Sequence, residues 1–73
     1  MWKYESPIGT MFIQQLSSGS YALLYNNTIW ETSGSPQAEA DNVYRHKTGC
    51  RAWDSLEGEV TNVPADLSKW ECI

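Results

Sequence analysis

Alternation of apolar and polar side chains in the first half of the chain predicts an antiparallel β-meander. Three segments rich in β-branched and aromatic residues have the composition of strands: residues 10–16 (TMFIQQL), 21–25 (YALLY) and 28–32 (TIWET). The Asn26-Asn27 pair between the last two tolerates the positive φ of a tight hairpin. Strands joined by such short connections run antiparallel. Residues 2–5 (WKYE) form a fourth candidate strand, because Pro7 and Gly9 stand where a β-turn prefers them.

A helix is predicted after the strands, from Ser35-Pro36 to about Lys47. The Ser35 hydroxyl can cap open backbone amides, Pro36 suits the first turn, and Gly49 is a natural terminator. Spacings of three and four predict one apolar stripe toward the sheet, made by Ala40, Val43, Tyr44 and Lys47. The side chains expected to face water are Glu39, Asp41, Asn42 and Arg45.

The pattern is weaker beyond the helix. Residues 50–56 and 64–70 can each form a helical turn, and residues 57–63 are expected to form a loop or a short extended piece. Three large apolar side chains, Trp53, Leu67 and Trp70, would anchor this tail to the rest of the molecule. The predicted fold class is α+β: a three- or four-stranded antiparallel β-meander with one helix packed across it and a C-terminal tail with short helical turns, all in one domain of residues 1–73.

Both faces of the predicted sheet carry apolar side chains. Alternation places Met11 and Ile13 on one face and Phe12 on the other, and Leu23 and Leu24 also point to opposite faces. One helix covers one face, so the second face must be covered by the C-terminal tail or by another protein. We expect the tail to cover it, and a homodimer or a protein partner is the alternative. The candidate interaction surface consists of Phe12, Leu24, Tyr25 and Trp30.

Composition and charge narrow the classes of function. The 73 residues include four Trp, four Tyr and one Phe, enough apolar surface to favour a folded chain over a disordered one. Nine Asp and Glu against five Lys and Arg give a net charge of −4, which disfavours direct binding to nucleic acid. The acidic excess is interpreted as serving solubility. The alternative is an acidic mimic of nucleic acid, with Glu57 and Glu59 as its closest pair of acids.

The chain has neither a signal-peptide pattern nor a run of about 20 apolar residues, which a membrane span requires. We therefore expect a cytoplasmic protein that does not bind membranes. In that compartment Cys50 and Cys72 would be reduced thiols.

The strongest candidate for chemistry is a stripe of His46, Cys50 and Asp54, spaced four residues apart. On one continuous helix these side chains could bind a metal or pair a thiolate with a base. Gly49 interrupts that helix, and one His with two Cys is a small set of ligands for a closed zinc site. Trp53 beside Asp54 is either a surface recognition element or, as we expect, a core anchor. We expect no enzyme, no cofactor and no metal, with a small metal- or thiol-dependent protein as the alternative.

Three segments stand in order along the chain: SPxG at 6–9, VYxHxTGxxxWD at 43–54 and VPxDLSxW at 63–70. In this pattern the chain resembles a family of small uncharacterised bacterial proteins, over nearly its whole length. The resemblance implies a compact bacterial protein of the cytoplasm. It implies no activity and no site residue.

Three strands followed by a helix with alanines and a tyrosine is also similar to the DNA-binding domain of plant ethylene-response factors. That resemblance would imply DNA readout by Arg and Trp side chains on the sheet. Residues 11–15 here are Met, Phe, Ile, Gln and Gln, and Tyr44 does not keep the family's spacing from the helix start. The topology is therefore an analogy, and DNA binding is not predicted from it.

Overall fold

The computed structural model describes residues 1–60 and 62–73, and its central element is a five-stranded antiparallel sheet. Its strands are β1 (Trp2–Ser6), β2 (Gly9–Gln15), β3 (Tyr21–Tyr25), β4 (Thr28–Ser33) and β5 (Glu71–Cys72), in the spatial order β4-β3-β2-β1-β5. The α+β class and the meander are confirmed, with residues 2–5 as a true strand. The fifth strand was not predicted. Thr61, within the predicted loop of residues 57–63, lies outside the described residues.

Two tight turns set the register of the meander. Asn26 and Asn27 have φ values of 57° and 61°, the left-handed conformation of a type I′ hairpin, which Asn adopts more readily than most residues. The turn between β1 and β2 ends at Gly9, whose φ is 132°. A Cβ atom at Gly9 would lie 3.2 Å from the ring of Tyr25, so glycine is required there both by conformation and by space.

Helix α1 spans Pro36–Arg45 and ends sooner than predicted. The Ser35 hydroxyl accepts a hydrogen bond from the Ala38 amide at 3.2 Å, as the capping pattern predicts. At the other end His46 takes a left-handed φ of 56°, and its amide donates to the Val43 carbonyl. The Lys47 amide donates to the Asn42 carbonyl at 2.9 Å, which completes a Schellman motif. The helix therefore closes on His46, not on Gly49.

The face of α1 that meets the sheet differs from the prediction by one residue. Glu39, Ala40 and Val43 are buried, whereas Tyr44 is 51% exposed and Lys47 is also exposed. The expectation that Glu39 faces water is therefore wrong. The buried stripe of the helix runs through positions 39, 40 and 43, which also lie three and four residues apart. The acid is carried into the interior with its apolar neighbours.

The tail packs on the same face of the sheet as α1. It contains helix α2 (Arg51–Asp54) and a 3₁₀ turn at Leu67–Lys69, in agreement with the two predicted helical turns. The Tyr4 ring on β1 contacts the rings of Trp53 and Trp70, with centroid separations of 6.1 and 5.4 Å. The shared core consists of Met11, Ile13, Leu23, Ala40, Val43, Cys50, Trp53, Val63 and Trp70.

The expectation that the tail covers the second face of the sheet is therefore wrong. Helix α1 packs against β2, β3 and β4, and the tail aromatics fill the space over β1. One helix of ten residues is about 15 Å long, too short to cover a sheet of this width alone. Both α1 and the tail therefore pack on the same face of the sheet.

Candidate functional site

The face of the sheet opposite α1 carries a row of side chains across four strands. Strand pairing places Lys3 opposite Phe12, Phe12 opposite Leu24, and Leu24 opposite Ile29. Side chains of directly paired residues lie side by side on one face. We call these four residues the outer row. Phe12 and Leu24 are half-buried and Ile29 is 51% exposed, so the apolar middle of the row remains accessible to solvent.

Polar side chains border the outer row on both sides. On one side Thr10 donates a hydrogen bond from its hydroxyl to Glu5 at 2.8 Å. On the other side Gln14 and Thr32 are exposed and flank Ala22. The Lys3 end of the row is closed by an ion pair with Glu71 at 3.4 Å. An apolar centre with a polar border is the organisation of a protein–protein interface.

A cleft of about 290 Å³ opens beside the middle of the outer row, on its Thr10 side. Phe12, Leu24 and Ile8 provide its apolar lining, and Thr10, Asn26 and Asn27 contribute polar groups. The cleft lies where the turn after β1 and the turn after β3 come together. Its volume is near the lower end of the range for ligand pockets and is sufficient for one large side chain.

Of the four predicted surface residues, the structure places Phe12 and Leu24 side by side. Tyr25 and Trp30 are not part of the outer row. Tyr25 is paired with Met11, so alternation assigns it to the face that α1 covers, although its ring also borders the cleft. The Tyr25 hydroxyl donates to the Ile8 carbonyl at 2.7 Å. Trp30 is the extra residue of a β-bulge, because Leu23 pairs with Glu31 and Leu24 with Ile29.

Trp30 is 38% exposed, and its indole nitrogen donates to the Tyr25 carbonyl at 3.1 Å.

Two members of the outer row, Lys3 and Ile29, were missed from the sequence. Counting outward from the two-residue Asn26-Asn27 turn pairs Leu24 with Ile29, so that position was within reach of sequence reasoning. The bulge at Trp30 has no comparable sequence pattern.

The second candidate, the stripe of His46, Cys50 and Asp54, is divided between separate elements. The His46 ring stacks on Trp53 with a centroid separation of 4.4 Å and an interplanar angle of 16°. Its Nδ1 lies 2.9 Å from the Trp53 carbonyl oxygen, which can only accept, so Nδ1 is the donor. Trp53 is fully buried and donates from its indole nitrogen to the Val43 carbonyl at 2.9 Å. The core-anchor interpretation of Trp53 is confirmed.

Asp54 and Cys50 also make structural contacts. The Asp54 carboxylate accepts hydrogen bonds from the Thr48 amide, the Thr48 hydroxyl and the Gly49 amide, at 2.9 to 3.2 Å. Cys50 is 2% exposed within the core, and Cys72 is exposed on β5; both are free thiols. Within residues 1–60 and 62–73, no three His, Cys, Asp or Glu side chains are grouped so that they could hold a metal ion.

A third feature, absent from the sequence-based candidates, is a pair of acids between α1 and β4. Glu39 is 0% exposed, and neither of its carboxyl oxygens has a hydrogen-bond partner among the described residues. Burial, and next the nearby Glu31 charge, raise the pKa of Glu39 to about 7. Burial also raises the pKa of Glu31, and the Asn42 amide, which donates to Glu31 at 3.0 Å, acts in the opposite direction.

Comparison of the chain with protein-family models, with curated proteins and with solved structures finds no match. None of the helices in the described part of the chain combines the length and apolar character needed to cross a membrane.

Proposed function

We propose that this chain is a non-catalytic protein-interaction module that binds a partner protein through the outer face of its sheet. The observation that carries the proposal is the outer row, whose apolar members lie on the three strands β2, β3 and β4 and are covered by neither α1 nor the described part of the tail. The sheet edge beside it, β4, has Thr28, Ile29 and Trp30 exposed. A sheet face of this kind is stabilised when a partner removes it from water.

The proposed occupant is a different protein that presents an apolar side chain to the cleft and a strip of apolar residues to the outer row. Two copies of the present chain would each bring a net charge of −4 to a shared interface, which opposes self-association. Lys3 is already paired with Glu71, so no free cation of the outer row is left to offset that repulsion within the described residues. Phe12 and Leu24 would be the central contacts, and Ile29 would contact the partner from the edge strand β4.

Site-specific photocrosslinking tests the proposal in cells of the source organism. A benzophenone amino acid replaces Phe12 in one variant and Tyr44, on the solvent side of α1, in a second, control variant. We expect a defined adduct from position 12 and none from position 44. The adduct is identified by mass spectrometry, and the partner is then purified and its affinity for the intact chain is measured.

Matched substitutions give the quantitative result. Ile29 and Tyr44 are both 51% exposed, so Ile29→Ser and Tyr44→Ser each truncate a half-exposed side chain, on opposite sides of the molecule. Ile29→Ser should weaken partner binding by about tenfold or more, because it truncates the most exposed apolar side chain of the outer row, and Tyr44→Ser should not. An adduct of twice the chain mass would show that the outer face binds a second copy of this chain and not a different protein. Equal effects of the two substitutions would refute the role of the outer face.

A further inference from the structure

The seam between α1 and β4 holds one buried and one half-buried acid, and no positive charge from the described residues compensates them. The Glu39 side chain is fully buried and its two oxygens lack hydrogen-bond partners among the described residues. Glu31 faces it from β4 and accepts a hydrogen bond from Asn42, a residue of α1. Two carboxyl groups in one buried seam are costly to ionise together, because each charge is desolvated and repels the other.

Within the described part of the chain, the elements packed around the pair add no cation. Asp54 of α2 adds a further negative charge that acts on Glu31. The Leu23 backbone approaches Glu39 from β3, and the Ser33 hydroxyl approaches it from β4. The Ser33 hydroxyl donates its hydrogen bond to the Ser35 carbonyl at 2.8 Å. Strand β2 faces α1 with apolar core side chains, and Lys69 of the neighbouring 3₁₀ turn is exposed. A proton is therefore the counter-charge that this seam can hold.

We propose that the buried Glu39 carboxyl keeps a proton that holds α1 on the sheet, and that release of this proton at higher pH loosens the α1–β4 seam. The inference is independent of partner binding at the outer face, which lies on the other side of the sheet. It assigns to the protein a pH-sensitive contact in its own core. Opening this contact would expose Val43 and Ala40 of α1 together with Leu23 of β3, all of which are fully or almost fully buried.

The direction of the pH effect follows from the two pKa values of Glu39. Its ordinary value is 4.5 and its value in the folded protein is about 7, so between these values the folded protein keeps a proton that the unfolded chain has released. The stabilisation linked to this proton is complete below pH 4.5 and is lost as the pH rises through about 7. Acid conditions therefore favour the closed seam.

Urea unfolding measured from about pH 5 to about pH 8 tests the inference. In the native protein the unfolding equilibrium constant should rise on the order of a hundredfold across this range. Glu39→Gln, which keeps the shape and cannot ionise, should abolish most of this rise, and amide exchange in α1 should become insensitive to pH. Glu57→Gln, at an exposed position, is the matched control and should retain the full rise. An unchanged rise in Glu39→Gln would overturn the inference.

A second measurement applies to the native protein and does not depend on the folding of a variant. The side-chain carboxyl carbon of Glu39, followed by NMR, should titrate near pH 7. In Glu31→Gln this titration should move to lower pH, because the repelling charge is gone. A Glu39 carboxyl that titrates near its ordinary value of 4.5 in the native protein contradicts a proton retained on Glu39.

Discussion

At the scale of single residues, the side chains that first indicate chemistry serve the fold. The His46 backbone closes α1, and its imidazole stacks on Trp53 and donates to the Trp53 carbonyl, so one residue has three structural tasks. The spacing of four residues suggested His46 as a ligand, since such spacing places side chains on one face of a helix. It does so only where the helix is unbroken. The break depends on a left-handed conformation at His46, a non-glycine residue, and such positions are not marked in a sequence.

The two cysteines should differ sharply in their effect on stability. Cys50 is 2% exposed in the core, so Cys50→Ser places a hydroxyl in an apolar site and should lower the free energy of unfolding by about 1–3 kcal/mol. Cys72 is exposed on β5, and Cys72→Ser should change it by less than about 0.5 kcal/mol. Urea unfolding of the two variants under reducing conditions measures the difference. Equal changes would show that Cys50 is not a core residue.

At the scale of secondary-structure elements, boundaries that depend on local chemistry were predictable and those that depend on distant contacts were not. The Ser35 cap and the Asn26-Asn27 turn follow from side chains that act within a few residues. Strand β5 exists because Glu71 and Cys72 pair with β1 at the other end of the chain. The burial of Glu39 likewise depends on how α1 is rotated on the sheet.

The connection between α1 and α2 should depend on Asp54. Its carboxylate gathers two amides and one hydroxyl from Thr48 and Gly49, so Asp54→Ala leaves three donors without their acceptor. A loss of about 2–3 kcal/mol of unfolding free energy is expected, since hydrogen bonds to a charged group exceed neutral ones. Glu57→Ala, at an exposed position, is the control and should cause little change. Faster hydrogen exchange at the Thr48 and Gly49 amides should accompany the loss. Unchanged exchange there would contradict this role of Asp54.

At the scale of the whole molecule, the distribution of covering elements between the two sheet faces is the feature that sequence alone left open. Apolar residues at alternate positions correctly indicated that both faces carry apolar side chains. Which face the tail joins depends on aromatic contacts across the full length of the chain, between Tyr4 and the Trp53 and Trp70 rings. Such contacts have no local pattern. Because the rings of Tyr4, Trp53 and Trp70 meet on the face that α1 covers, the described part of the tail leaves the outer face open.

The four tryptophans allow the role of the tail to be tested within one residue type. Trp70 is 5% exposed and packs on Tyr4, so Trp70→Ala removes the tail's anchor and should lower the unfolding free energy by about 3–5 kcal/mol. A domain of 73 residues is expected to have a total of roughly 4–11 kcal/mol, so this loss consumes much of the margin. Trp30→Ala, at a 38% exposed position on β4, should cost about 1 kcal/mol from its single indole hydrogen bond.

Thermal and urea unfolding of the Trp70→Ala and Trp30→Ala variants, with amide exchange in β1, compare these two positions directly. Rapid exchange in β1 of Trp70→Ala alone is the expected result, because β1 is the strand that the tail covers. If Trp30→Ala were the more damaging change, the tail would not belong to the core, and the inner face would be held by α1 alone. The outer face could then no longer be distinguished from the inner one by what covers it, and its assignment as the docking surface would lose its basis.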